Sequence, residues 1–314
     1  MKKNYLFIAF IALVIGLSFG SCSKDDNNGS NNGKTDPNTI AAANLVAYFP
    51  FDGNGNDKIS NMTPSNTSTT TVTFPAGRRG QCFQGTADGT TSGLLYSLAA
   101  SSKLKTLKAF TVSVWTKMVP NTVETTDAPE QMLFQIDGTG DWIWGNLFLL
   151  QHRNWPLGET VQATNFAEMD CYFWKDDATA PAAIWKGQRG NGWFLDVVSP
   201  PKWRHIICTY DNATSEFHAY VDGVPVTAFD GTEYMGVNRL QGEGGAPLGN
   251  LKFVNANHLA IGAWYARLAN DGLQPTDAWA SPFKGQLDEL RMYDRGLTAT
   301  EAKALYDAEV SQIN

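Results

Sequence analysis

The chain predicts an all-β fold of two antiparallel sheets packed face to face, closed by one short C-terminal helix. Three observations carry this. From Leu45 onward, short runs rich in Val, Ile, Thr and aromatic residues alternate with clusters of Gly, Asn, Asp and Pro, the pattern of strands and turns. Within Phe110 to Lys117, Val112, Val114 and Thr116 fall on one face and Ser113, Trp115 and Lys117 on the other, the period of two that a half-buried strand requires. No stretch of helical period separates these runs, so sheet must pack on sheet.

Read in order, the chain opens on a segment that imitates structure. Lys2 and Lys3 precede an apolar run, Tyr5 to Phe19, too short to span a bilayer comfortably. Residues 1–21 therefore read as a signal peptide. Residues 22–41 follow as a tether: Asp25 to Pro37 is rich in Asn, Asp, Gly and Ser and has no apolar residue whose burial could offset its ordering entropy. Residues 42–314 form one domain, a size that all-β sandwiches reach as a single unit.

The strands then follow in series. Leu45 to Phe51 is stopped by Asp52-Gly53-Asn54-Gly55-Asn56-Asp57. Phe110 to Lys117, Met132 to Ile136, Asn146 to His152, Asp170 to Trp174 and Gly192 to Val198 continue it. Trp203 to Tyr210 and Glu216 to Val221 are joined by a polar connection of hairpin length, and Asp222-Gly223 turns the second back toward Val224-Pro225-Val226. His258 to Ala263 and Phe283 to Tyr293 complete the set. In the final helix, Thr298 and Glu301 have capping-box spacing, and Ala302, Leu305 and Tyr306 share one face.

Composition excludes some partners. The formal charge is -7, from 24 basic and 31 acidic side chains. Removing residues 1–21 takes two lysines and no acid, leaving 22 basic against 31 acidic, or -9. With that balance and no basic patch, nucleic acid is not the expected partner. After Cys22 come Cys82, Cys171 and Cys208, with no C-x-x-C pair. Cys208, in the apolar run Ile206-Ile207-Cys208, reads as a small buried hydrophobe; an oxidising exterior would permit a bridge from Cys82 to Cys171.

Several motifs are similar to known ones. Phe19-Gly20-Ser21-Cys22 resembles a bacterial lipobox, which implies lipidation of Cys22, and Ser23-Lys24-Asp25-Asp26 resembles the export signal of Bacteroidetes lipoproteins at the outer face of the outer membrane. Tyr48-Phe49-Pro50-Phe51-Asp52-Gly53-Asn54-Gly55-Asn56-Asp57, Phe110-Thr111-Val112-Ser113-Val114-Trp115, Trp203-Arg204-His205 with Tyr220-Val221-Asp222-Gly223, and Gly285-Gln286-Leu287-Asp288-Glu289-Leu290-Arg291-Met292-Tyr293 occur in the order they take in the laminin G-like, concanavalin A-like superfamily. The resemblance implies a jelly roll. It also implies a structural calcium held by Asp52 and Asp288, although an Asx-rich first turn equally suits side chains bonded to their own backbone. The fold alone names no function, since it carries lectins, adhesion domains and glycoside hydrolases alike.

For function, the residues themselves are more informative. Sugars offer apolar C–H faces to aromatic rings and hydroxyls to planar polar groups. Trp142, Trp144, Trp155, Trp174, Trp185 and Trp193 crowd one stretch together with Arg153 and Arg189, the mixture a glycan groove needs; the competing role for each Trp is core packing. Trp264 and Trp279, with Tyr265 and Arg267, form a second candidate edge. A retaining glucanase on this fold would carry Glu-x-Asp-x-x-Glu; here Glu168-Met169-Asp170-Cys171-Tyr172-Phe173 places Phe173 at the second Glu, and Glu168 and Asp170 read as a solvated strand edge. The expectation is a surface-anchored, non-catalytic polysaccharide-binding lipoprotein of the outer membrane, near uptake proteins. The alternatives are a protein-adhesion domain, or a divergent hydrolase or lyase.

Overall fold

The computed structural model describes residues 34–65, 72–86, 92–119, 130–138, 145–152, 166–173, 189–196, 201–227, 247–269 and 280–313, without the side chains of 152, 166, 168 and 189–196. The strands are β1 (Leu45–Phe49), β2 (Phe83–Gln84), β3 (Leu94–Ser97), β4 (Phe110–Lys117), β5 (Glu130–Ile136), β6 (Leu147–His152), β7 (Phe166–Phe173), β8 (Arg189–Asp196), β9 (Trp203–Asp211), β10 (Glu216–Val221), β11 (Val224–Pro225), β12 (His258–Ile261), β13 (Ala280–Pro282) and β14 (Gln286–Tyr293). A short helix α1 (Tyr265–Ala269) and the C-terminal α2 (Ala299–Ser311) complete the elements used below. None of the described helices is long and apolar enough to cross a membrane.

Two sheets form a jelly-roll sandwich. The first runs β1-β14-β4-β9-β10-β11, with β2 also on β14; the second runs β3-β12-β5-β6-β7-β8, with β13 on β5. Every described pairing is antiparallel except β13 with β5. The strands expected from sequence are present with ends shifted by a few residues; the short β2, β3 and β13 and the helix α1 were not expected. The interior is filled from alternate positions of both sheets: Phe49, Val112, Val114, Ile206, Cys208 and Tyr210 from the first, and Phe134, Leu149, Met169, Cys171 and Phe173 from the second. Phe173 meets Tyr210 with ring centroids 5.0 Å apart and Phe110 at 5.2 Å, contacts that couple the sheets directly.

The outer face of the first sheet is sealed by α2. Thr298 and Glu301 form the expected capping box, and Arg295 holds the Glu301 carboxylate at 2.6 and 2.9 Å, which keeps that acid near pKa 2. Beneath the helix, Tyr48, Ile207, Tyr220 and Tyr293 pack against Leu297, Ala302 and Leu305. At the centre of this interface Arg291 is fully buried. Its guanidinium bonds Glu309 of α2, lies 2.7 Å from Glu289 Oε2 and stacks over the Tyr48 ring at 4.1 Å. Glu309 also accepts the indole N–H of Trp115, and its Oε2 lies 3.3 Å from His205 Nε2. Burial, helped by Arg291, pulls His205 down to about pKa 3, so this contact joins a neutral imidazole, not an ion pair, to Glu309. Burial likewise pushes Glu309 up to about 7 despite Arg291.

The segment before β1 joins the same cluster. Asn38 Oδ1 accepts from Arg291 Nε and Nη2 at 3.2 and 3.1 Å, Pro37 is buried, and Ile40 and Ala41 pack against the apolar layer under α2. Composition assigned these residues to the tether; contacts more than two hundred positions away order them.

A buried charge left without its partner is strongly destabilising. Glu309→Ala should therefore lower the unfolding free energy by about 3–5 kcal/mol in urea titration. The pH response follows from opposite shifts. His205 has a folded pKa below its unfolded value, so its contribution is complete above pH 6.5 and is lost as pH falls toward 3; that of Glu309 is complete below 4.5 and is lost as pH rises toward 7. The two oppose each other between 4.5 and 6.5, so this pair lowers stability on acidification chiefly below 4.5. The urea midpoint of His205→Gln should fall less than that of the native protein between pH 4.5 and 3.

Candidate functional site

Among the described residues, the outward side of the second sheet combines aromatic and polar groups. Its outward positions follow from register. Phe148 of β6 pairs with Gln135 of β5 and with Tyr172 of β7, so the three residues form a row across neighbouring strands. The Phe148 and Tyr172 rings stack at 4.6 Å with planes 11° apart; Phe148 is buried while Tyr172 is half-buried. Gln135 Oε1 accepts the backbone N–H of Tyr265 at 2.7 Å, which carries the row to the first residue of α1.

There the row meets a His–Asp pair. Asp137, just beyond β5, is buried and accepts the N–H groups of Asn257 and His258 at 2.6 and 2.7 Å on Oδ1. Its Oδ2 lies 2.7 Å from His258 Nδ1, so the ring N–H at that atom donates to the carboxylate and orients the imidazole. The His258 ring stacks on Tyr265 at 4.8 Å and 20°, and its side chain is 29% exposed. Among the described residues Nε2 has no hydrogen-bond partner. Asn146 fixes the surroundings, bonding the carbonyls of Asp137 and Val254 and accepting the Val254 N–H. The result is a half-exposed stacked pair with a directed polar atom, at the edge of an aromatic row.

The residues singled out from sequence fare unevenly. Trp142, Trp144, Trp155, Trp174, Trp185 and Arg153 lie outside the described residues, as do Trp279 and Cys22. Arg189 and Trp193 are on β8, where the ladder sets Arg189 against Tyr172 and Trp193 against Met169; their side chains are outside what is described. Trp264 corrects an expectation: it is fully buried, its indole N–H donates to the Glu130 carbonyl at 3.0 Å, and it packs with Met132, Phe148 and Leu150, so it is core and not an edge. Asp170 is another correction, for it is buried and not a solvated edge: it sits inside β7, between β6 and β8. Phe173 points inward among Phe110, Tyr210 and Phe217, which leaves no carboxylate at the position of the glucanase motif's second Glu. His258 and Asp137 were not singled out; nothing in their spacing, 121 residues apart, marks them as partners.

The first turn and the Leu-Asp-Glu-Leu motif do work of another kind. Asp57 accepts the N–H groups of Tyr48, Ile59 and Ser60 at 2.7, 3.0 and 2.7 Å, and Asn54 accepts that of Asn56 at 2.9 Å, so these are Asx bonds within and next to the turn. Asp52 Oδ1 accepts the Gln81 N–H at 2.9 Å; a Cβ at Gly80, φ +62°, would collide with that oxygen. On β14 a bulge with Glu289 at φ 51° lets two successive carboxylates reach Arg79: Asp288 accepts its backbone N–H at 2.9 Å and Glu289 its guanidinium at 3.2 Å. Asp288 also accepts the Arg78 N–H at 2.8 Å, while its Oδ1 is buried without a partner. Burial, opposed by these N–H groups, raises the Asp288 carboxyl to about pKa 8. Asp52 and Asp288 each hold backbone amides of the 78–81 loop, and no group of three or more His, Cys, Asp or Glu able to hold a metal occurs among the described residues.

Comparison with known proteins agrees with this architecture. The concanavalin A-like lectin/glucanases superfamily, in its laminin G-like form, matches residues 88–303. Among solved structures, the botulinum neurotoxin serotype G binding domain superposes with a TM-score of 0.51 at 13% identity, covering 84% of this chain and 50% of that one. The serotype D ligand-binding domain in complex with N-acetylneuraminic acid gives 0.50 at 9% identity, covering 84% and 52%. Domain 4 of an extracellular GH43 arabinanase from Geobacillus stearothermophilus, in complex with arabinotriose, gives 0.44 at 19% identity, covering 84% and 98%. The chain thus spans about half the length of the two toxin domains, and at such identities the likeness concerns the fold alone. No curated protein matches the chain.

Near neutral pH the protonated Asp288 carboxyl is close in shape and charge to an amide. Asp288→Asn should therefore cost less stability than Asp288→Ala, whose loss of two backbone N–H acceptors amounts to about 1–3 kcal/mol. A calcium chelator should leave the melting midpoint of the native chain in place, as read by differential scanning calorimetry.

Proposed function

The chain belongs to the concanavalin A-like lectin/glucanases superfamily, and on that footing we propose that it is a carbohydrate-binding lipoprotein that holds polysaccharide at the bacterial surface without cleaving it. The observation that carries the reading is the Tyr265–His258 pair: two stacked, half-exposed rings, the imidazole oriented by a buried carboxylate, at the end of a row that continues through Phe148 to Tyr172. A pyranose offers the matching chemistry, C–H faces for the rings and hydroxyls for Nε2. The Trp- and Arg-rich stretch named from sequence, Trp142 to Trp193 with Arg153 and Arg189, supplies further ring and guanidinium groups to the same reading, on sequence grounds.

Placement at the outer membrane rests on the N-terminal residues: the apolar run, Cys22 with its preceding small residues, and the acidic residues after it. Lipidation at Cys22 would leave the domain on a leash able to work beside uptake proteins in the membrane. The non-catalytic part of the proposal is supported by Phe173, which occupies the position of the acid that the glucanase chemistry of this fold requires.

Affinity electrophoresis of the full-length protein through gels carrying plant, algal and host polysaccharides tests the reading. At least one polysaccharide should retard the protein, and Tyr265→Ala and His258→Ala should each weaken that binding about tenfold, or about 1.4 kcal/mol, with melting unchanged. Free passage of folded protein through every gel would overturn the proposal; reducing ends released from a retained polysaccharide would favour the hydrolase alternative instead.

A further inference from the structure

Two of the three described cysteines face each other across the sandwich. Cys171 on β7 and Cys208 on β9 are both fully buried in the central cluster, and they belong to opposite sheets. The ring contact beside them puts both on inward faces: Phe173 and Tyr210 meet with centroids 5.0 Å apart, and each cysteine stands two positions earlier on the same face of its strand. The two side chains lie within hydrogen-bonding reach of each other. Cys82 is elsewhere, its thiol directed to the Ala76 carbonyl at 3.7 Å. The Cys82 thiol is thus turned away from the central cluster that holds Cys171, and all three are thiols in the structure.

We propose that Cys171 and Cys208 are a cross-linking site, joined by an inter-sheet disulfide when the chain folds in an oxidising compartment. The oxidant is a low-molecular-weight disulfide such as oxidised glutathione. One cysteine thiolate attacks it, forming a mixed disulfide and releasing one glutathione thiolate; the second cysteine thiolate then attacks the protein sulfur of that mixed disulfide and releases the other. Two electrons pass from the protein sulfurs to the oxidant, and the two thiol protons end on glutathione. In the folded protein burial holds the Cys171 thiol far above its ordinary range, so thiolate is scarce and oxidant excluded. The bond therefore forms while the strands are assembling. It closes a loop over residues 172–207, which includes the whole of β8, and so restrains the unfolded chain.

The test is to refold the full chain in a glutathione redox buffer or in excess reductant, unfold it and alkylate with iodoacetamide. Peptide mass mapping of the oxidised sample should find Cys82 alkylated and the peptides of Cys171 and Cys208 linked, two mass units lighter than the dithiol. The oxidised sample should melt about 5 °C or more above the reduced one, a difference absent from Cys208→Val and from Cys171→Val. Alkylation of both Cys171 and Cys208 after oxidative refolding, or linkage of either residue to Cys82, would overturn the proposal.

Discussion

Burying the Arg291 guanidinium beneath the C-terminal helix imposes a demand that much of the first sheet is arranged to meet. A cation removed from water costs several kcal/mol unless its charge and its N–H groups are matched. The matching groups come from distant parts of the chain: Glu289 from the bulge two residues before, Glu309 from α2, Asn38 from the N-terminal segment and the Tyr48 ring from β1. Because each partner is needed where it is, the helix has one seat and the first and last parts of the domain are locked together. Trp115 and His205, stacked at 4.9 Å, fill the space around Glu309 and keep water from it.

This arrangement also decides where a ligand could be met. The outer face of the first sheet is occupied by α2, and the inner faces of both sheets form the core. On the outward side of the second sheet, the buried Phe148 and half-buried Tyr172 lead by way of Gln135 to the partly exposed Tyr265 and His258. The carboxylates of the Leu-Asp-Glu-Leu motif, although charged residues in a recognisable pattern, serve the scaffold: they hold the 78–81 loop and neutralise Arg291. Glu289 on this strand is part of the clamp, while Asp288 holds the loop.

Most of the β-pattern was legible because runs rich in β-branched and aromatic residues stand between turn residues, as in Trp203 to Tyr210 and Glu216 to Val221, and because Phe110 to Lys117 alternates. The capping box of α2 was equally legible, since its hydrogen bonds involve residues three apart. Elements held by distant partners escaped detection. β13 is three residues long and exists through its parallel pairing with β5, and β2 through its pairing with β14. Trp264 read as part of a candidate edge from the company of Tyr265 and Arg267; its partner, the Glu130 carbonyl, is 134 residues away. The His258–Asp137 pair gave no signal for the same reason.

The sequence by itself determined what depends on near neighbours: an export-like N-terminus, a sandwich of antiparallel strands, a capped final helix and a family resemblance spread along the chain. Only the tertiary structure decided which faces are covered, which tryptophan is core, that Cys171 looks toward Cys208, and that a histidine on β12 is oriented by an aspartate at the end of β5. The physical reason is that alternation and capping are written in spacings of two or three residues, whereas burial, charge compensation and side-chain orientation are set by groups brought together from opposite ends of the chain.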